Sequence, residues 1–240
     1  MANPRRQRKE EFLGSEAMPS SFSVQLILSA NALLAIALHE RRQGVVKTAT
    51  NHFTHHAAGA LALILTAFDA WVTQTLALST WHGGEDLKEG LADLPLCARY
   101  QRLAEVSGVT VPEEVRGDLA LLVEVRHEII HHLPRPVSSE GNVPACLVEL
   151  HRRELFIATG RSYDYPFPDK LGSYKLAYWA FRTVAAAAST WTDGARREWE
   201  WQFGMARNFL LYVQESCPPE VLPTFDTRYG IQLTVWEDEP

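Results

Sequence analysis

Hydrophobic positions along most of this chain recur at helical spacing. From about His52 to Ser79, Leu61, Leu65, Phe68, Val72 and Leu76 fall on one side of a helix. Gly83-Gly84 ends it, and a second helix is expected from about Glu85 to Val106, broken at Pro95 and stopped by Gly108. Pro112 suits the first turn of a third helix, with Glu113 and Glu114 at its positive end, and Pro134-Arg135-Pro136 closes it. Two more follow, about Lys170 to Thr190 and Ala195 to Ser216, with Asp193-Gly194 between them and Pro218-Pro219 after them.

Two stretches alternate instead. In SFSVQLIL, Phe22, Val24, Leu26 and Leu28 would share one face of a strand, and YGIQLTVWE alternates through Ile231, Leu233 and Val235. Their economical arrangement is to pair and bring the ends of the chain together. Residues 135 to 169 are rich in Pro, Ser and Gly, with β-like runs CLVEL and ELFIA around His151-Arg152-Arg153. The expected fold is mainly α, a bundle of about five helices with minor β structure at the termini and in a 135–169 insertion. Residues 1–20 read as a disordered tail and 21–240 as a single domain.

Composition narrows the class. The 240 residues are 46% hydrophobic, enough for one well-filled core. The net charge of -6 gives no global signature for duplex binding, although Arg5, Arg6, Arg8 and Lys9, and later Arg152, Arg153 and Arg161, form local basic clusters. Cys97, Cys146 and Cys217 are widely spaced, with no C-x-x-C, which disfavours a disulfide framework and suits a reducing cytoplasm. The basic N-terminal residues are followed by Glu10, Glu11 and Glu16 rather than an apolar run, against a signal peptide. The longest apolar stretch, about Ala57 to Phe68, falls short of the ~20 residues that cross a bilayer, so no membrane association is expected. Phosphate-loop, G-x-S-x-G and dinucleotide fingerprints are absent.

The candidate chemistry lies in VRHEIIHHLP, residues 125–134. From His127 it reads H-E-x-x-H: His127 and His131 at i and i+4 can share a zinc ion, with Glu128 as general base. A third ligand would then come from Glu149, His151 or Glu154. From Arg126 it reads R-H-x-x-x-H. Leu119, Leu122, Val123, Ile129, Ile130 and Leu133 form an apolar stripe, and Arg126 falls inside it. A guanidinium there needs an anion or a wet interface. Asp69 or Glu124 can supply the anion within the chain, or the face can pack against a second copy around a phosphate-sized cleft. His131 lies about 140° further round the helix, so one straight helix does not converge the pair, whereas a two-fold axis can. Histidine then takes the proton of a ribose 2′-OH, and arginine stabilises charge at phosphorus.

An Arg, a polar residue, three residues and a His at the end of a bundle helix resembles the HEPN superfamily (higher eukaryotes and prokaryotes nucleotide-binding), and Arg126-His127-Glu128-Ile129-Ile130-His131 matches that pattern. The resemblance covers roughly residues 50 to 215. It implies a metal-independent endoribonuclease, without cofactor, whose site forms between two copies and which acts on RNA as a toxin or antiviral effector, with a cognate antitoxin or defence-system partner. It implies Arg126 and His131 as catalytic residues, with His127, His132, Glu128 and Asp69 in support. Other members of that family keep the bundle and only bind RNA, nucleotides or proteins, so a non-catalytic module stands beside the nuclease, and the zinc hydrolase remains a third reading.

Elsewhere, His52 and His56 have ligand spacing but read as a solvated first turn. Trp191, Trp199 and Trp201 read as packing residues, with Trp191 at the start of a loop, and a base-stacking platform as the weaker use. The Ala185–Ala188 run permits close approach of another helix, that of a partner copy included.

Overall fold

A computed structural model describes residues 22–43, 55–79, 93–130, 144–153, 155 and 173–196. They form six helices: α1 (Phe22–Gln43), α2 (His55–Ser79), α3 (Leu96–Ser107), α4 (Glu113–Ile130), α5 (Ala145–Arg152) and α6 (Tyr174–Gly194). No β-strand occurs among the described residues. The mainly helical bundle expected from the spacing of apolar residues is therefore what the described residues form. The expected N-terminal tail, the C-terminal strand, the helix over 195–216 and most of the 135–169 insertion lie outside the described residues.

Two short segments read as β are helical. Alternation over Phe22 to Leu28 is overridden by the longer pattern: Ile27, Ala30, Leu34, Ala37 and Leu38 are buried, at spacings of three, four, three and one. No charged residue occurs between Phe22 and Leu38, so the outer side of α1 carries little polar signal to mark the period. Leu28 is 40% exposed, on the side away from that buried set. The run CLVEL belongs to α5, where Cys146, Leu147 and Leu150 are buried at helical spacing and Val148 is exposed.

α2 is the central element and packs against α1, α3, α4 and α6. Its approach to α1 is close at Gly59, where an added Cβ would stand 2.9 Å from Leu33 Cδ1. By length and composition, His56–Ala77 is apolar enough to cross a membrane, a longer stretch than the one ending at Phe68, but 56% of that window is buried inside the bundle. Asp69, which interrupts it, is met by Arg99 of α3 at 2.7 Å.

Aromatic side chains fill the space between α2, α3 and α6. Trp71 and Trp191 meet edge to face with centroids 5.6 Å apart, and Phe68 lies 5.5 Å from both Trp71 and Tyr100. Trp191 is fully buried within α6, not at a loop, and its Nε1–H donates to Ser107 Oγ at 2.8 Å. Tyr100 donates its hydroxyl proton to the Ala187 carbonyl at 2.7 Å, and burial drives that hydroxyl's pKa far above its ordinary value. Ala185, Ala187 and Ala188 are buried inside this one chain, so the small-residue run serves the monomer's own core.

The helix ends follow the expected punctuation. Pro95 precedes α3, and Gly108 ends it at φ 76°, a left-handed value that suits glycine. Glu113 and Glu114 occupy the first turn of α4. Ser173 caps α6 by accepting from the Leu176 N–H at 3.1 Å, and its hydroxyl donates to the Leu155 carbonyl at 3.0 Å. α6 continues through Asp193-Gly194, where a break was expected.

Candidate functional site

α4 carries the site. Val115, Leu119, Leu122 and Val125 are buried along one face of it. Arg126 follows Leu122 by four residues and so extends this core-facing stripe toward the end of the helix. The side chain is half-buried, and its Nε is buried with no hydrogen-bond acceptor.

The acids expected to neutralise Arg126 do not do so. Asp69 lies against Arg99, which also donates from Nη1 to Thr73 Oγ1 at 2.7 Å. Glu124 is exposed on another side of α4. Asp69 thus belongs to the seam between α2 and α3, and Arg126 makes no ion pair among the described residues. His127 is exposed and Glu128 half-buried, and both make further interactions. His131 and His132 lie outside the described residues.

Beside α4 lies α5. Arg153, just past its end, donates from Nη1 to Asp118 of α4 and from Nε to Glu149 Oε1, the latter at 2.6 Å. Arg152 also grips Glu149, through Nη2 at 2.6 Å and Nε at 2.8 Å. Hydrogen bonds from Arg152 and Arg153 hold the Glu149 carboxyl down to about 2. The basic cluster read as a phosphate attraction is therefore neutralised within the chain at Arg152 and Arg153. Glu149, one of the residues considered as a third zinc ligand, is likewise occupied by two guanidiniums.

At the other end of α5, Cys146 is buried. Burial, followed by the charges of Glu128 and Glu124, raises its thiol to about 11. It is an inert, protonated side chain at neutral pH. Cys97 is also a free thiol, raised chiefly by burial.

No group of three or more His, Cys, Asp or Glu side chains converges among the described residues. The pair His127 and His131 is not visible as a pair there, because only the first member is described. His56 sits half-buried in the first turn of α2, and His52 lies outside the described residues.

Sequence reasoning did not find a second polar cleft, between α4 and α6. Glu114 and Asp118 come from α4, and Trp179, Arg182 and Thr183 from α6. No short motif marks it, because its members are more than sixty residues apart.

The chain matches no family model, and it shows no significant similarity to a curated protein or to a solved structure.

Proposed function

We propose that this protein is a metal-independent endoribonuclease whose site is assembled from Arg126 and His131 of two copies, acting as a toxin or antiviral effector. The observation that carries this reading is the Arg126 guanidinium. Its Nε is buried without an acceptor on a core-facing stripe, and the nearby acids are engaged or turned away. A buried N–H donor left unmatched is costly to a folded chain. It becomes favourable once an anion of phosphate geometry is delivered to it.

The chemistry is that of RNA transesterification. His131 accepts the 2′-OH proton as the 2′ oxygen attacks the adjacent phosphorus. Arg126 stabilises the charge building on the non-bridging oxygens. The bond from phosphorus to the 5′ oxygen breaks, and the symmetry-related histidine returns a proton to that leaving oxygen. The products are a 2′,3′-cyclic phosphate and a free 5′-OH. DNA lacks the nucleophile and is not cut.

The test is cleavage of a mixed RNA pool by the purified full chain in excess EDTA, beside Arg126→Ala and His131→Ala. Cleavage that survives EDTA, leaves cyclic ends and disappears in both variants supports the reading. Cleavage abolished by EDTA and by Glu128→Ala, with Arg126→Ala active, overturns it in favour of H-E-x-x-H chemistry. RNA binding without turnover, weakened in Arg126→Ala, overturns it in favour of a non-catalytic module built on the same unmatched guanidinium.

A further inference from the structure

The cleft between α4 and α6 has a volume of about 150 Å³. One water needs ~10–15 Å³, so there is room for on the order of ten water-sized groups. Its α4 wall presents Glu114 and Asp118, and its α6 wall presents Arg182 and Thr183. Asp118 is held by Arg153. Glu114 and Arg182 are different. They line one cleft with opposite charge, yet they pair neither with each other nor with any other described residue.

Thr183 makes the cleft more than a gap between helices. A helical threonine ordinarily returns its hydroxyl proton to the carbonyl four residues earlier. Thr66, Thr75 and Thr192 do so, at 2.8, 2.8 and 2.9 Å. Thr183 is only 3% exposed, nearly as buried as Thr75 at 1%, and its Oγ1 has no partner at all. A buried hydroxyl is destabilising when nothing meets it. Thr183 lines the same cleft as the unpaired Arg182.

One cleft is therefore lined by the exposed, unpaired Glu114 carboxylate on one wall, and on the other by the unpaired Arg182 guanidinium and by Thr183, whose buried hydroxyl has no partner. Trp179, 6% exposed, and the small side chain of Ala186 supply an apolar surface beside them. We infer that the α4–α6 cleft binds a small zwitterion of the α-amino acid class. Its carboxylate accepts from Arg182 and Thr183, its ammonium donates to Glu114, and its side chain lies on Trp179. A simple anion would satisfy Arg182 and Thr183 but face Glu114, and a simple amine would do the reverse. The site is separate from the proposed RNA site. Asp118 and Arg126 are eight residues apart on α4, about 12 Å along the helix.

The experiment is titration of the full chain with each of the common amino acids by calorimetry. The corresponding amine, the corresponding carboxylic acid and inorganic phosphate serve as matched probes. At least one amino acid is expected to bind with a Kd of about 1 mM or tighter. Its two half-molecules are expected to bind at least about tenfold more weakly. Glu114→Gln and Arg182→Gln should each weaken it by a similar factor. Thr183→Val, which keeps the shape, should weaken binding while leaving the melting temperature equal or higher. Absence of binding by every amino acid at about 10 mM to a folded wild-type chain overturns the inference. So does tighter binding of phosphate than of any amino acid, or amino-acid binding that all three substitutions leave unchanged. RNA cleavage by Arg182→Gln is expected to equal wild type, so failure here and failure of the nuclease reading are read out separately.

Discussion

Two arginines lie beside the same helix and meet opposite fates. Arg153 reaches α4 from the end of α5 and is met by Asp118 and Glu149. Arg126 leaves α4 itself toward the core, its Nε buried without an acceptor and its charge without an ion pair among the described residues. Arg153 closes a network that fixes α5 against α4, so its charge is spent on the fold. Arg126 brings a charge to a buried stripe and forms no ion pair there among the described residues. The difference separates an arginine that the monomer needs from one that the monomer tolerates, and it is the second kind that points outside the chain.

The sharpest way to break this contrast is to remove each arginine and follow activity. Arg126→Ala should lower RNA cleavage by at least about 100-fold, the loss seen when a transition-state donor is deleted. Arg126→Lys should not restore it, because an ammonium cannot offer the planar fork to a phosphate. Arg153→Ala should retain cleavage within a few-fold. Single-turnover rates with a labelled RNA in EDTA measure all three. Equal loss in Arg126→Ala and Arg153→Ala would show that α5 docking, rather than the unmatched guanidinium, governs activity.

The next effect in size is on stability, and it runs the other way. Arg99→Ala strands Asp69, only 25% exposed at its side chain, and should cost about 2 kcal/mol in urea unfolding. Arg126→Leu removes a buried donor that has no partner. It should leave stability unchanged or raise it by up to about 1 kcal/mol, with no change in the denaturant slope. A loss of 2 kcal/mol or more in Arg126→Leu would mean that the guanidinium is matched in solution after all, and the contrast would dissolve.

How far the sequence revealed this arrangement depended on the length of the signal. α2 and α4 were legible because their apolar residues keep a helical period over many turns, and Gly108, Pro112 and Glu113 punctuate the join between α3 and α4. Arg126 was legible as an intruder in an apolar stripe. α1 was misread because Phe22 to Leu28 alternates by chance over a short window, and a helix without charge hides its period. α5 was misread for a similar reason, being only a little over two turns long. That Asp69 would be taken by Arg99, and Glu149 by Arg152 and Arg153, was not legible, because partner choice is decided by how helices pack. The cleft holding Glu114, Arg182 and Thr183 was invisible on the same ground. The pairing of Arg126 with His131 remains a matter of sequence pattern and proposal.

The smallest effect concerns acid, and it returns to the matched side of the contrast. Glu149 has its carboxyl lowered from an ordinary 4.5 to about 2, first by its hydrogen bonds to Arg152 and Arg153. A carboxyl that is more acidic when folded binds fewer protons in the native state than in the unfolded one. Its contribution is therefore fully present above about pH 4.5 and is lost as pH falls from there toward about 2. Arg152 is open to solvent and Arg153 and Glu149 are half-buried, so salt should shrink the effect in part. Melting curves recorded across that window at low and high salt should show a wild-type decline that Glu149→Gln flattens. Arg126→Leu should follow the wild-type decline, since no acid among the described residues pairs with that guanidinium. If Arg126→Leu flattened the curve as Glu149→Gln does, a carboxylate would be leaning on Arg126, and the two arginines would no longer differ in kind.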